Sequence, residues 1–444
     1  MRTPIYDFVQ GYIQSNTARF HMPGHKGKSF LGCEPLDITE IGGADVLYAP
    51  YGIIAESEAN ATRLFDTAHT FYSTEGSSLA IRAMLALVRE SCHDNPPVIL
   101  AARNAHKAFL YACALLDYHI EWMIPQGASH VCEAVITPDT LSKKLEGMSP
   151  KPAAVYITSP DYLGNLTDIA QLSVICKRYD VPLLVDNAHG AYLRFLEPSL
   201  HPISLGATMC CDSAHKTLPV LTGGAYLHIS RDAPLGYVEQ ARKYLSLFAS
   251  TSPSYLILQS LDLCNAYMEQ GYQKRLAESL QTIAEVKENI KQLGFHVVDG
   301  EAMKIVIHTA ASGFTGHDLA QILREFQIEC EFADPDYLVL MASAQNTRSD
   351  FDRLLRALST VEPRPPIYHP PVVLPDVNVV LSPREAILHP SKTVFIDRAV
   401  GKICASPGVS CPPAVPIVMS GERITKEHIR LMQYYGYEYI DVIK

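Results

Sequence analysis

Residues 151–190 read KPAAVYITSPDYLGNLTDIAQLSVICKRYDVPLLVDNAHG. Within them AAVYIT (153–158) and PLLV (182–185) are short, nearly continuous apolar runs, the pattern of strands buried on both faces. Between them DIAQLSVICKRY (168–179) carries its apolar residues at helical spacing. Strand, amphipathic helix, strand is the repeating unit of a parallel sheet covered by helices. The second strand then ends on a carboxylate, Asp186. Ligands in such sheets sit at the carboxyl ends of the strands, so ionisable residues just past each strand are where chemistry is sought.

The same alternation extends in both directions. Upstream come a short amphipathic helix (4–14), a Gly/Pro/His-rich loop (20–32), a helix over 56–70 and another over 76–92. Strands are predicted at 97–102 and 119–124, with helices over 106–116 and 138–148. Downstream, ATMCCDSAHK (207–216) and GGAYLHIS (223–230) read as two more strands. The fold class is therefore α/β, a large domain with a mostly parallel, seven-stranded-type sheet flanked by helices, followed by smaller C-terminal α/β parts. Long helices fill about 235–294, with QSLDLCNAYMEQGYQKRLAESLQTIAEVKENIKQL (259–293) reading as one sustained run. A small strand–helix–strand unit follows from about 296. The proline-rich stretch 363–376 cannot be helical. The expected divisions are 1–50, 51–295, 296–360 and 361–444.

The chain has 444 residues, 48% of them hydrophobic, enough for a full core. A formal net charge of −10 argues against nucleic-acid or membrane-surface binding, both of which need a basic footprint. Eleven cysteines without a CxxC pair suit reduced core thiols and a cytoplasmic setting. No run of about 18 apolar residues predicts a membrane helix, and the start of the sequence lacks the apolar stretch of a signal peptide.

Four strand ends carry polar residues that suit one ligand. Gly76, Ser77 and Ser78 open a helix, whose N-terminal N–H groups and hydroxyls suit a phosphate. His106 follows a strand and begins a helix. Asp186 ends a buried strand and needs a cationic or hydrogen-bonding partner. Lys216 ends the next strand, flanked by Ser213 and His215. Pyridoxal 5'-phosphate (PLP) asks for this set. The helix start takes its phosphate, Asp186 its ring nitrogen, His106 its ring face, and Lys216 its aldehyde as an imine.

These motifs resemble the Orn/Lys/Arg decarboxylases of bacteria, fold-type-I PLP-dependent enzymes, and among them the compact form without the N-terminal wing domain. RFHMPGHKG (19–27), DITEIGGADVLYAP (37–50), EGSS (75–78), RNAHKA (103–108) and TSPDYLGNLTDI (158–169) carry the resemblance. So do VDNAHGAY (185–192), SAHKTLP (213–219), TSPSYLILQSLD (251–262) and CPPAVPIVMSGERI (411–424). The resemblance implies α-decarboxylation of lysine, arginine or ornithine to an amine of the polyamine type. It implies Lys216 as the cofactor lysine, Asp186 as the ring-nitrogen partner, and His106 as the stacking histidine that can protonate Cα. Ala188 is the small residue under the ring, and His189 joins the cofactor contacts. Ser77, Ser78 and Ser213 are the phosphate contacts, and His215 lies at the phosphate or imine region. Ser250 and Thr251 match a stretch that reaches the phosphate from a neighbouring subunit, which implies a homodimer with shared active sites. The loop holding His25, and Glu422 in the GE motif, are the candidates for substrate contact.

Three departures stand out: Glu75 where relatives often have Asn, Cys411 and Ala414 where Tyr and Gly are usual, and Ser420 where Pro is usual. Glu75 is expected to face away from the phosphate. No metal is expected at His21 and His25, since Pro23 and Gly24 deny them a helical i,i+4 geometry. Two other readings fit the cofactor residues: an aminotransferase or aldolase-like lyase, and a catalytically silent relative that binds or regulates a decarboxylase.

Overall fold

The computed structural model of the chain describes residues 1–92, 96–125, 130–133, 135–362, 364–368, 377–406 and 416–444. Seven strands make the large sheet: β1 (His69–Ser73), β2 (Val98–Ala102), β3 (His119–Met123), β4 (Ala154–Thr158), β5 (Leu183–Asp186), β6 (Met209–Asp212) and β7 (Ala225–Ile229). Their order is β1-β7-β6-β5-β4-β2-β3. β5 and β6 pair in parallel, as do β2 and β3, while β7 runs antiparallel to both β6 and β1. The mostly parallel α/β sheet expected from the alternation is present.

The chain forms two compact units, one of residues 1–93, 153–157 and 169–275, the other of 94–152, 158–168 and 276–444. In the first unit the helix Gly76–Glu90 buries Leu79–Ile81 and Ala83–Val88, apolar on nearly every side, as a fully enclosed helix must be. The helix Pro4–Gln14 is fastened at its start by Asp262, whose Oδ2 accepts the N–H groups of Ile5 and Tyr6 at 2.9 and 3.0 Å. A carboxylate there satisfies donors that the helix itself cannot.

In the second unit, β8 (Val297–Val298), β9 (Lys304–His308), β10 (Phe332–Ala333) and β11 (Tyr337–Met341) form an antiparallel sheet of order β10-β11-β9-β8. β12 (Ser391–Phe395), β13 (Cys404–Ser406) and β14 (Tyr439–Ile443) form a second one, β12-β14-β13. Ile396, Cys404, Ile417, Val418, Ile429, Met432 and Val442 make its core.

Three details differ from the sequence reading. Residues 69–70 begin β1 rather than ending a helix, because Asp66 adopts a left-handed φ of 57° that closes the helix Ile53–Phe65. The run 259–293 breaks at Gly271, whose φ of +76° ends the helix Tyr255–Glu269 before Tyr272–Gln292 begins. Lys216 lies in a one-turn helix, Ala214–Thr217, directly after β6.

Candidate active site

The first unit brings most of the expected residues together at strand ends. β1 leads through Thr74 and Glu75 into the helix Gly76–Glu90. Gly76 takes a φ of +71°, which a side chain would strain. Its N–H is spent on the Gly223 carbonyl at 2.8 Å, so the first-turn donors of this helix are those of the residues after it. Ser213, just past β6, donates its hydroxyl to Ser77 Oγ at 2.9 Å. Two residues 136 positions apart thus meet at one helix start. Glu75 turns aside, its Oε1 accepting the Ser250 N–H at 2.6 Å. Ser250 and Thr251 are exposed there.

Asp186 is 2% exposed at the end of β5. Oδ1 accepts the Ala188 N–H at 3.2 Å and faces the Cys211 thiol at 3.6 Å, while Oδ2 accepts the Tyr156 hydroxyl at 3.2 Å. These three donors satisfy the buried carboxylate. Ala188 is buried beside it. Neither Tyr156 nor Cys211 was marked in the sequence. Each sits in a strand whose apolar neighbours hide a polar atom, on β4 and β6.

Lys216 is half-buried, with Nζ 3.0 Å from His189 Nε2. His215, its chain neighbour, donates Nδ1–H to the Gly224 carbonyl at 2.9 Å, and the Gly224 carbonyl also takes the His215 N–H. Burial lowers the His215 pKa and the Lys216 charge lowers it further, so this ring stays neutral. Beneath the lysine turn lies a second buried anion. Asp212 Oδ2 is 3.1 Å from both His201 Nε2 and His228 Nε2, and Oδ1 accepts from Asn187 at 2.6 Å. Burial alone would raise this carboxyl, but the two imidazoles hold it well below the usual range. The Cys210 sulfur, 3.8 Å from His201 Nε2, completes a His–Cys–Asp group of metal-ligand types. The His201 nitrogen that faces the group is already hydrogen-bonded to the carboxylate.

His25 is occupied within its loop. Nε2 is 3.2 Å from Asp37 Oδ2 and Nδ1 accepts the Gly27 N–H at 3.0 Å. His21 Nε2 faces Tyr12 Oη at 2.6 Å, so the two rings turn to different partners.

In the second unit His106 caps the helix Lys107–Leu116, its Nδ1 accepting the Ala108 N–H at 3.1 Å. Nε2 is therefore the nitrogen that carries the proton. Glu422 has a different employment from the substrate contact expected of it. It is 1% exposed, and Oε2 accepts from Arg103 at 2.8 Å and from the Met419 N–H at 2.8 Å. A carboxylate committed to a buried guanidinium is a poor anchor for a diffusing cation. Ser420 is buried beside it, while Cys411 and Ala414 lie outside the described residues. All ten described cysteines are free thiols, seven of them buried.

These residues fit PLP. Two hydroxyls converge at a helix start, a triply bonded carboxylate ends β5, and an amine follows the neighbouring parallel strand β6.

Comparison with known proteins points the same way. The model of the Orn/Lys/Arg decarboxylase major domain matches residues 3–310, and that of the family's C-terminal domain matches 373–438. The uncharacterised protein YaaO of Bacillus subtilis is 30% identical, over 97% of this chain and 93% of its own length. An arginine decarboxylase of Halalkalibacterium halodurans is 28% identical, over 96% of this chain and 92% of its own. The fold matches that of the E. coli constitutive lysine decarboxylase with a TM-score of 0.79, at 18% identity, over all of this chain and 82% of the other. With its site residues at the strand ends and both family domains matched along its length, the chain belongs to the Orn/Lys/Arg decarboxylase family and is an amino-acid decarboxylase.

Proposed function

We propose that the chain removes the α-carboxylate of a basic amino acid, with PLP as cofactor, as a cytoplasmic homodimer whose subunits share active sites. The observation that carries this reading is the placement of Asp186 and Lys216 at the ends of the parallel neighbours β5 and β6, with Ser213 reaching Ser77 at the helix start. PLP, when bound, supplies an electron sink for the bond between Cα and the carboxylate. The chain's own residues do the rest. Lys216 holds the aldehyde end. Ser77, Ser78 and Ser213 orient the phosphate, with Ser250 and Thr251 contributing across a subunit boundary. Asp186 keeps the ring nitrogen protonated, and Ala188 leaves room beneath the ring. His106, whose Nε2 holds the proton, delivers it to Cα.

Relatives spanning nearly the whole chain are named arginine decarboxylases, which makes arginine the first substrate to test, ahead of lysine and ornithine. Among the described residues, no helix is long and apolar enough to cross a membrane. An absorbance band of bound cofactor that disappears in Lys216→Ala, together with CO₂ release from one of these amino acids, is the expected result. Purified protein that takes up no PLP would overturn the reading.

A further inference from the structure

Two histidines flank Lys216 in space, and their surroundings differ. His215 spends its Nδ1–H on Gly224, and burial keeps it neutral. His189 instead points Nε2 at the lysine nitrogen from 3.0 Å. A lysine ammonium only donates, so in this contact Nε2 offers its lone pair.

His189 is also firmly placed. It is 5% exposed and sits in the turn after β5, between Asn187 and Gly190. Asn187 is bound through Nδ2 to Asp212, and the Gly190 N–H returns to the Asn187 carbonyl at 2.8 Å. A Cβ on Gly190 would lie 2.0 Å from Asn187 Oδ1, so the turn has no slack.

We infer that His189 is the proton acceptor for the Lys216 amine, a catalytic residue for loading the cofactor. This rests on the reading of the site as a PLP site. An amine attacks an aldehyde only when neutral, and a lysine at ordinary pH is almost wholly ammonium. One proton must therefore leave Nζ first. It passes to His189 Nε2, leaving a neutral amine and an imidazolium, and then to water. When Lys216 is later released from the cofactor, the same ring returns a proton to Nζ. His215 has its Nδ1 side committed and serves to fix the turn.

The test follows cofactor capture by the apo protein, read from the absorbance of the bound chromophore, without substrate. His189→Ala should capture PLP about 100-fold more slowly, the lower end of the range for a positioned acid or base. Added free imidazole should restore a saturable part of that rate, which a merely structural residue would not allow. Should the alanine variant fold poorly, His189→Gln, which can accept a hydrogen bond but not a proton, serves for the comparison. Capture at the wild-type rate in the folded variant, or slowing that imidazole leaves untouched in His189→Ala, overturns the proposal. Wild-type protein that captures no PLP overturns the site reading itself, so the two failures are separate.

Discussion

The Tyr156 hydroxyl donates to Asp186 Oδ2 at 3.2 Å, side chain to side chain, with both residues buried. A hydrogen bond to a charged group contributes about 1.5–3 kcal/mol. Tyr156→Phe should therefore weaken PLP retention by about 10- to 100-fold, measured by equilibrium binding to the apo protein. Cys211→Ala removes a weaker donor and should cost less. Asp186→Ala should cost the most, since the ring nitrogen would then lose its proposed partner.

Asp212 should behave as a structural anion. Replacing it with Ala leaves His201, His228 and Asn187 facing an empty position in the core, and should destabilise the fold by about 3–5 kcal/mol, the usual cost of breaking a buried pair. Denaturant midpoints measure this. Because the folded carboxyl titrates below its ordinary 3.8, its stabilisation is complete above that pH and is lost as the pH falls further. The neighbouring Cys210 and His201 invite a metal assignment, yet the facing His201 nitrogen is hydrogen-bonded to the carboxylate, with the Cys210 sulfur 3.8 Å from that same nitrogen. Chelator treatment should leave the unfolding midpoint unchanged.

Two histidines of the second unit should tilt its stability in opposite directions. Burial, and then the Arg103 charge, lower His428 to about 4. The unfolded chain binds that proton near pH 6.5, so stability falls as pH drops from about 6.5 to 4. His428→Gln should flatten this loss in melting curves. Burial works against a charged His130, but Cys132 and the Asp334 carboxylate outweigh it and raise its pKa to about 10. Its contribution is full below about pH 6.5 and disappears as pH rises toward 10, so His130→Asn should lose the alkaline part of the profile.

Gly190→Ala places a methyl 2.0 Å from Asn187 Oδ1 and 2.7 Å from Leu193 Cδ1. Overpacking of this kind costs about 1–3 kcal/mol. Thermal melts should show it, and because the same turn carries His189, cofactor capture should slow as well.

The strand ends were legible because an ionisable residue after an apolar run is conspicuous. Asp186 and Lys216 announce themselves that way, and the serines at 77 and 78 as small polar residues opening a helix. Tyr156 and Cys211 did not, since apolar strand patterning scores both as core and says nothing of the atom each points sideways. Arg103 was readable only as part of a motif, and its partner Glu422 lies 319 residues away. The first two residues of β1 were absorbed into a helix because the apolar spacing before them carries on through Asp66, and the pairing with β7 is 158 residues distant. The long helical run hid its break because a single glycine interrupts no periodicity.

The adjacent glycines before β7 carry both ends of the proposed cofactor cradle. The Gly223 carbonyl receives the Gly76 N–H of the phosphate end, and the Gly224 carbonyl receives His215 beside the lysine. Neighbouring peptide units keep a fixed spacing set by covalent geometry. The chain has therefore built a gauge: the span from phosphate seat to amine is measured against one dipeptide, not against the looser separation of two helices.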